Sequence, residues 1–442
     1  MGVLKRESNL FSLHIDTART WRGGQGQVMH TVMGLRARRH RTALVAHPGG
    51  ELYRRMSEGT DLIPLAPHNE IDLAAAWRLS RVLKQLKPDI IHAHDPHGVA
   101  MAATALSMAS PSPAPRFVAS RRIEFRIGHN SFSKWKYSRV DCFVAISEAV
   151  RERLIADGIP RDKTTVVHEG VDVDRIAHLP AANVHATFYL PTHAPVVGNV
   201  GALVPQKGQH HLIDAAAIVV RAVPDARFVI CGDGELRPAL EEQIKRKHLE
   251  RHVFLAGFRA DVLELLKGFD LFALSSLQEG LCTSLVDAMA ASKAAVATRV
   301  GGVPEVVADG ETGFLVPPRD HDAMADRIIT LLKDAGRRTR MGEAGLTRAR
   351  KLFTVDHMVD GRSDRLRVVD IDPGLRLLRQ SPAHQREGDG VLFQQSNPVV
   401  AGGAVDEDES VRLAADQVGG EGPVGLRLVI EDDHTPVELL GR

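Results

Sequence analysis

Short apolar segments alternate with longer amphipathic segments along the first 360 residues of this chain. The short segments are rich in Val, Ile and Leu, and the longer ones repeat their apolar residues at a helical spacing. This alternation is typical of a parallel sheet whose strands are covered by helices on both faces. It predicts an α/β fold whose first strands have the sequences LFSLHID, TALVAH, PDIIHAH, FVAS and DCFVAIS.

The alternation is interrupted around residues 176–195, where the sequence is rich in Pro, Ala and His. We interpret this interruption as the connection between two Rossmann-like domains, residues 10–182 and residues 190–355. The second domain is predicted from a new series of strand-like segments: APVVGNVGAL, RFVICGDG, HVFLAG, LFALSS, AAVATRVGG and GFLVPP.

The alternation stops near residue 361. The last 42 residues contain two acidic clusters, DEDE and EDD, together with many glycines and no aromatic residue. Segments of this composition bury too little apolar surface to fold alone. We therefore expect residues 361–442 to form an atypical, largely disordered tail.

Charge and cysteine content exclude several classes of protein. The formal net charge is +1, which gives no indication of a nucleic-acid partner. The three cysteines, Cys142, Cys231 and Cys282, are far apart, fit no metal-binding spacing and indicate a reducing compartment. The N-terminal residues lack the apolar core of a signal peptide, and no apolar run reaches the roughly 20 residues of a membrane span. We expect a cytoplasmic protein.

The segment 275–318 carries the strongest chemical pattern. A predicted strand ends in a loop that holds Glu279 and Gly280, and a helix is predicted to begin near Thr283 or Ser284. The first N–H groups of such a helix favour a phosphate or sugar hydroxyls. Asp287 falls on the second turn, so Glu279 and Asp287 can face one ligand. A capped core helix with a solvated Asp287 is the alternative.

This segment closely resembles the signature of the family 4 glycosyltransferases, which are retaining, nucleotide-sugar-dependent enzymes with the GT-B fold. Glu279 matches the first acid of the signature, and Asp287 stands where a second Glu is usual. The resemblance extends over residues 10–360 and implies two Rossmann-like domains that face a central cleft. The remaining matches to the signature are Gly301, Gly302, Pro304 and Glu305.

The resemblance also implies a donor site. Glu279 and Lys207 become the catalytic candidates, since Lys207 matches the lysine that neutralises the donor diphosphate, although Ala202 stands where the family often has Arg. The glycines of WRGGQGQ follow the first strand, and they would let the backbone approach the diphosphate or the sugar. The predicted donor-binding residues are Gly23, Gly24, Lys207, Gly257, Phe258, Arg259, Glu279, Gly280, Leu281, Cys282, Thr283, Ser284 and Asp287.

The acceptor site is predicted in the first domain. His92, His94 and His97 have a spacing that resembles a metal site, but the family needs no protein-bound metal, so we interpret His94 and His97 as cleft residues. Arg121 and Arg122 suit a phosphorylated or carboxylated acceptor. The surrounding segment 120–139 mixes cations with aromatic residues, which suits either an anionic membrane surface or an ordinary solvated helix.

We therefore expect a glycosyltransferase that moves a sugar, with retention, from a nucleotide-diphosphate sugar to a lipid-linked or cell-envelope glycan such as a lipopolysaccharide core. No metal or other cofactor is expected. The enzyme would be cytoplasmic, with peripheral contact to the inner face of an anionic membrane as a further expectation. The alternatives are a catalytically impaired GT-B binding protein and a nucleotide-sugar epimerase.

The end of the chain departs from the family pattern. Family members usually finish with a long helix that crosses back to the first domain, and the segment 353–360, FTVDHMVD, resembles its beginning. The sequence that follows, GRSDRLRVVDIDPGLRLLRQ, does not resemble the usual ending. A shifted reading frame or a fused extension would explain this difference.

Overall fold

Two parallel β-sheets, each flanked by helices, form the part of the chain that the computed structural model describes. That part comprises residues 10–57, 59–122, 126–128 and 130–371, with residues 364–371 described by their backbone only. All strand pairs of both sheets are parallel. The predicted α/β fold with two Rossmann-like halves is confirmed.

The first sheet has seven strands in the order β3-β2-β1-β4-β5-β6-β7. Its strands are β1 Phe11–Asp16, β2 Arg41–Ala46, β3 Asp61–Pro64, β4 Ile90–Ala93, β5 Arg116–Arg121, β6 Cys142–Ala145 and β7 Thr164–Val166. The helices of this half are α1 Gly23–Ala37, α2 Glu51–Arg55, α3 Leu73–Leu86, α4 Pro96–Ala109, α5 Ser131–Ser138, α6 Glu148–Ala156 and α7 Val173–His178.

The second sheet has six strands in the order β10-β9-β8-β11-β12-β13. Its strands are β8 Val196–Val200, β9 Arg227–Cys231, β10 Val253–Gly257, β11 Leu271–Leu274, β12 Ala295–Thr298 and β13 Gly313–Val316. Its helices are α8 Val184–Thr187, α9 Gln209–Ala222, α10 Arg237–Arg246, α11 Val262–Gly268, α12 Thr283–Ala290, α13 Val303–Val306, α14 His321–Lys333 and α15 Ala335–Leu352, and α16 Val355–Ile371 follows them.

The strands are apolar on both faces because helices cover both faces of each sheet. Every residue of β1, β4, β11 and β12 is buried. The helices begin where a side chain can accept a hydrogen bond from a first-turn N–H group. Asp72 does so at α3, Asp95 at α4 and Ser147 at α6. Local capping and two-sided burial therefore fix the alternation that the sequence pattern predicted.

The last helix, α16, returns to the first half and packs on α1. A Cβ atom on Gly34 of α1 would lie 2.5 Å from Cγ2 of Val359, so the two helices meet at a glycine. Arg38 forms ion pairs with Asp356 and Asp360, and the buried Arg362 donates to Thr31.

The tail predicted to start at residue 361 is corrected for its first residues, because α16 continues to Ile371 and buries Arg362 and Ser363. The remaining part of the predicted tail, residues 372–442, lies outside the described residues. Among the helices that the structure describes, none is long and apolar enough to cross a lipid bilayer.

Candidate functional site

The loops that follow the strands of the two sheets touch across a narrow cleft. A Cβ atom on Gly280, which follows β11, would lie 2.1 Å from the carbonyl oxygen of Arg122, which follows β5. A Cβ atom on Gly23 would lie 3.0 Å from Oγ1 of Thr283. Glycine therefore allows both close approaches. The two halves meet at the strand ends where open α/β sheets bind their ligands.

A partly buried ion pair lies beside this contact. Nζ of Lys207, in the 3-10 turn Pro205–Lys207, donates to Oε1 of Glu279 over 2.6 Å. Oγ of Ser276 donates to the same oxygen, also over 2.6 Å. Glu279 is only 8% exposed. The structure thus brings together the two residues predicted as catalytic, and their catalytic role stays a prediction.

The environment of Lys207 keeps its ammonium group charged. Burial alone would lower the pKa of Lys207, but Cys282 and the Glu279 carboxylate beside it raise that pKa above its usual value. Burial raises the pKa of the Cys282 thiol to about 12. Cys282 is therefore neutral near pH 7, so Glu279 supplies the negative charge that stabilises the Lys207 cation.

Helix α12 begins at Thr283, as the sequence predicted, but no side chain caps its N-terminus. Cys282 occupies the N-cap position with φ of 79°, and its side chain makes no capping hydrogen bond. Ser284 donates instead to the carbonyl oxygen of Val200, which fastens the helix to β8. The Cys282 side chain therefore caps none of the first N–H groups of α12, which lie at the positive end of the helix dipole. The predicted donor-binding residues Gly280, Leu281, Cys282, Thr283 and Ser284 make up this turn.

Asp287 lies on the second turn of α12, behind the helix N-terminus. Burial raises the pKa of its carboxyl group to about 7. The charge of Asp287 is therefore sensitive to any ligand that donates hydrogen bonds to it. The structure does not support the alternative of a fully solvated carboxylate at this position.

Gly23 and Gly24, the glycines of WRGGQGQ, form the first turn of helix α1 rather than a loop. Oε1 of Gln25 accepts from the backbone N–H of Arg22, and Nε2 of Gln25 lies 3.3 Å from both carboxylate oxygens of Asp16. These contacts fix the start of the helix. The first residues of α1 and α12 lie against each other across the cleft, since a Cβ atom on Gly23 would lie 3.0 Å from Oγ1 of Thr283.

The loop predicted to contact the nucleotide base follows β10. Gly257 has φ of 69°, a conformation that favours glycine, and its carbonyl oxygen accepts from the N–H of Gly232 over 2.8 Å. Phe258 is 74% exposed. Arg259 forms an ion pair with Asp261 over 2.6 Å. The exposed ring of Phe258 is available to a ligand, while Arg259 is held in place by its own carboxylate partner.

Three of the four residues predicted to bind the acceptor line one cavity in the first half. It has a volume of about 160 Å³ and includes His94, Arg121 and Arg122 among its lining residues. The fourth, His97, lies on the exposed first turn of α4 and does not line this cavity. The cavity opens between the ends of β4 and β5, where a cleft ligand is expected.

Arg122 is held firmly within this cavity. Its Nε donates to Oε1 of the buried Glu169 over 2.8 Å, and its Nη1 donates to the carbonyl oxygen of His94 over 2.9 Å. Its Nη2 lies 3.1 Å from Nδ1 of the same histidine. Glu169 could not be predicted as the partner of Arg122 from local spacing, because 47 positions separate the two residues.

A chain of buried histidines extends from Arg122 into the first sheet. Since a guanidinium can only donate, Nδ1 of His94 accepts from Arg122, and Nε2 of His94 then donates to Nδ1 of His14 over 3.0 Å. His14 in turn donates from Nε2 to Ser12. Burial lowers the pKa of His14 to about 3, and burial also places the pKa values of His92 and His94 well below their usual range.

His14, His92 and His94 lie close enough together to hold a metal ion, but their surroundings do not favour one. The candidate ligand atoms of His14, His92 and His94 lie within 4.8 Å of one another. However, the acceptor nitrogens of His14 and His94 already accept hydrogen bonds. The positive charge of Arg362 also lowers the pKa values of all three histidines, and Arg122 lowers those of His92 and His94. This environment opposes a divalent cation. The metal-like spacing in the sequence involved His92, His94 and His97, whereas the structure groups His92 and His94 with His14. The absence of a metal cofactor stays a prediction.

One further carboxylate of the cleft was missed from the sequence. Asp16 ends β1, and burial together with the nearby charge of Asp95 raises its pKa to about 6. It accepts hydrogen bonds from the N–H of Ala18 and from Gln25. The sequence feature that could have indicated Asp16 is an acidic residue at the carboxyl end of a buried apolar strand, where ligand clefts form.

Comparison with known families agrees with this geometry. The sequence model described as glycosyl transferases group 1 matches residues 184–348. The model described as glycosyltransferase family 4 matches residues 21–175. The first match contains the pair of Lys207 and Glu279, and the second contains the cavity around Arg122.

Two curated relatives match over most of their own length. EpsD of Bacillus subtilis is 27% identical over 313 residues, which is 67% of this chain and 81% of EpsD. The lipopolysaccharide core biosynthesis glycosyltransferase LpsE of Rhizobium meliloti is 26% identical over 326 residues, which is 73% of this chain and 89% of LpsE.

Solved structures show the same fold. Alr3699/HepE of Anabaena, crystallised in complex with UDP and glucose, superposes with a TM-score of 0.71 at 21% sequence identity. The superposition covers 81% of this chain and 99% of that protein. At this level of identity the similarity establishes the shared two-domain architecture.

Proposed function

Because this chain belongs to the group 1 glycosyltransferases of family 4, with the GT-B fold, we propose that it transfers a sugar with retention from a nucleotide-diphosphate sugar to a lipid-linked or cell-envelope glycan. The observation that carries this proposal is the pair of Lys207 and Glu279 at 2.6 Å, next to the uncapped N-terminus of α12. HepE, which shares the fold, binds UDP and glucose in its crystal structure.

In the proposed reaction, Lys207 and the first N–H groups of α12 stabilise the negative charge that develops on the departing nucleoside diphosphate. The bond between the anomeric carbon and the diphosphate oxygen breaks as an acceptor hydroxyl forms its bond on the same face of the sugar. The hydroxyl proton goes to the departing diphosphate. Glu279 holds sugar hydroxyls and fixes the reacting geometry.

Contact between the two halves supports the exclusion of water. Gly280 and Gly23 already touch the opposite half in the structure. A closed cleft prevents water from replacing the acceptor, and it strengthens the electrostatic interactions inside. No step requires a metal ion, since Lys207 and the helix N-terminus provide the positive charge.

The acceptor is proposed to enter the cavity lined by His94, Arg121 and Arg122. Guanidinium groups recognise phosphate and carboxylate in a bidentate manner. Arg122 is oriented by Glu169 and His94, so it is preorganised for such a group. The similarity to LpsE, a lipopolysaccharide core glycosyltransferase, supports an anionic envelope glycan as the acceptor.

We further propose that the outer face of α3, rather than the segment 120–139, contacts an anionic membrane. In that segment Lys136 is buried and forms an ion pair with Glu70, and residues 123–125 and 129 lie outside the described residues. Helix α3 contains no acidic residue and exposes Arg78, Arg81 and Lys84.

Large apolar side chains accompany these cations. Ile71 is 60% exposed, Leu73 58% and Trp77 53%, and the Arg81 guanidinium lies 5.2 Å from the Trp77 ring centroid. Cations beside exposed aromatic and aliphatic side chains favour an anionic lipid surface. Leu73 begins α3 on the side of the strand ends, so this contact would bring a lipid-linked acceptor to the cleft.

Transfer is tested with UDP-, GDP- and ADP-sugars labelled with ¹³C at the anomeric carbon, incubated with a lipid and glycan extract. We expect one donor to label the extract and the product to keep the anomeric configuration of the donor, read from the one-bond C–H coupling. Glu279→Ala should abolish labelling, and the exposed Glu311→Gln should not. Labelling of the extract by the Glu279→Ala variant would contradict the proposal. A donor whose sugar is epimerised while it stays on the nucleotide would instead indicate an epimerase.

The membrane contact is tested by sedimentation with vesicles of phosphatidylcholine, with and without phosphatidylglycerol. We expect binding only to the anionic vesicles, and weaker binding by Trp77→Ala. Tyr189→Ala is the matched control, because Tyr189 is a 96% exposed aromatic residue of the second half. Equal loss in both variants, or equal binding to neutral vesicles, would contradict the role of α3.

A further inference from the structure

The Gly301–Gly302 and Pro304–Glu305 part of the family signature has no role in the proposed donor chemistry. Glu305 lies on the short helix α13 of the second half. Its Oε2 accepts from the backbone N–H of Glu148 over 3.0 Å, and its Oε1 accepts from the N–H of Ala149 over 3.2 Å. Both N–H groups belong to the first turn of α6 in the first half. The carboxylate of Glu305 therefore caps a helix of the opposite half.

Two further contacts complete this arrangement. Oε2 of Glu305 lies 2.8 Å from Nε2 of His168, which is also in the first half. Oγ of Ser147 accepts from the N–H of Val150 over 3.2 Å. Ser147 and Glu305 thus share the capping of α6, and the larger part of the capping comes from the other half of the molecule.

The carboxylate is electrostatically suited to this position. Burial raises the pKa of Glu305, but hydrogen bonds from His168 and from the N–H groups of Glu148 and Ala149 outweigh burial and lower that pKa below its usual value. The positive end of the α6 dipole adds to this preference for the anion. When the halves separate, water can replace all three donors, so the contact can form and break reversibly.

The segment that carries Glu305 is anchored to its own half. Arg348 of α15 donates from Nη2 to the carbonyl oxygen of Glu305 over 2.8 Å and from Nε to that of Val306 over 2.9 Å. Gly302, three residues before Glu305, donates its N–H to the carbonyl oxygen of Glu279 over 3.4 Å. Hydrogen bonds within the second half therefore connect the segment of Glu305 to α15 and to the loop that holds Glu279.

We propose that Glu305 is a clasp between the two halves, a positioning residue that holds the cleft closed while Lys207 and Glu279 act on the donor. The inference rests on the proposed function for its consequence in catalysis, but the clasp itself is a property of the fold. It binds no substrate. It sets how long the halves stay together, and hence how often a bound donor meets the acceptor before water does.

The main test compares Glu305→Gln with Glu311→Gln, the same change at an exposed site of the second half. The Gln amide offers one acceptor oxygen and places an NH₂ group against the α6 N–H groups. Small-angle X-ray scattering should give a larger radius of gyration for Glu305→Gln than for the wild type, with and without a nucleoside diphosphate. The Glu311→Gln variant should match the wild type in both conditions.

Kinetics separates the clasp from a donor contact. We expect Glu305→Gln to lower kcat about tenfold, the range of one charge-assisted hydrogen bond, and to raise the fraction of donor lost to hydrolysis. The dissociation constant of the nucleotide should change little, because Lys207 and α12 are untouched. A loss of nucleotide affinity as large as that of Lys207→Ala, or scattering identical to the wild type, would overturn the clasp.

A second variant opens the cleft without changing Glu305. Gly280→Ala would place a Cβ 2.1 Å from the carbonyl oxygen of Arg122 and 2.8 Å from Cδ1 of Ile146, both in the first half. It should hold the cleft open even with Glu305 present, and thermal unfolding should show that the variant is folded. Absence of nucleotide binding in the wild type would reject the proposed function, and the scattering comparison would still decide the clasp.

Discussion

Nζ of Lys207 lies 2.6 Å from Oε1 of Glu279, although 72 positions separate the two residues. The ion pair neutralises the buried carboxylate of Glu279 and the partly buried ammonium group of Lys207, and a buried charge without a partner is costly. A bound diphosphate would compete with Glu279 for the same ammonium group, and Glu279 would then be released to accept from sugar hydroxyls. In the proposed function, the pair would therefore link arrival of the donor to the orientation of the Glu279 carboxylate.

Asp287 is expected to release a proton when a nucleotide binds. Burial raises its pKa to about 7, and hydrogen bonds from ribose hydroxyls would favour the carboxylate and lower that pKa. Calorimetry at pH 6.5 in two buffers of different ionisation enthalpy should show proton release by the wild type. The Asp287→Asn variant should show none, and equal proton release by both proteins would contradict this role.

Asp287 also affects stability in a defined pH range. Its folded pKa lies above the unfolded value of 3.8, so the folded state binds more protons between about pH 4 and pH 7. Stability from this group is lost as the pH rises through that range, by up to about 1.4 kcal/mol per pH unit. The free energy of unfolding of Asp287→Asn, relative to the wild type, should therefore increase from pH 4.5 to pH 7. A constant difference would contradict the raised pKa.

The buried histidines should make the protein sensitive to acid. The folded pKa of His14 is about 3, below the unfolded value of 6.5. The unfolded state therefore binds more protons between these values, and stability falls as the pH falls below about 6.5, by about 1.4 kcal/mol per pH unit for each such histidine. His92→Gln should reduce the slope of unfolding free energy against pH. His97→Gln, at an exposed position, is the control and should leave it unchanged.

The packing of α16 on α1 is tested with Gly34 and Val359. Alanine normally stabilises a helix relative to glycine, but a Cβ on Gly34 would lie 2.5 Å from Cγ2 of Val359. We expect Gly34→Ala to lower the free energy of unfolding by about 1–3 kcal/mol, the usual cost of overpacking. In a Val359→Ala background the same change should cost nothing or stabilise. A cost that is equal in both backgrounds would place α16 away from α1.

The strands and the fold class could be predicted from the sequence because their burial is continuous along the chain. The segment LFALSS, for example, contains β11 Leu271–Leu274, all of whose residues are buried. The start of α12 at Thr283 agrees with the sequence prediction, but the first turn of α1 and the N-cap conformation of α12 could not be predicted, because tertiary contacts set them. Gly23 enters a helix that Gln25 and Asp16 fix, and Cys282 takes a positive φ that no local pattern indicates.

The candidate residues of the donor site come from a resemblance, and the structure shows which of these candidates lie close together. The sequence analysis missed hydrogen-bond partners that are far apart along the chain. Glu169 holds Arg122 from 47 positions away, and Glu305 caps α6 from 157 positions away. Such contacts join separate elements, so periodicity and local spacing carry no information about them.

The most direct test of the account is calorimetric binding of UDP, GDP and ADP to the full chain, compared with Lys207→Ala and with the exposed Lys333→Ala. We expect one diphosphate to bind, with about ten- to a hundredfold weaker binding by Lys207→Ala, because a charge-assisted contact to phosphate is lost. Lys333→Ala should bind like the wild type. Binding of none of the three nucleotides, or equal binding by Lys207→Ala, would contradict a donor site at Lys207 and Glu279.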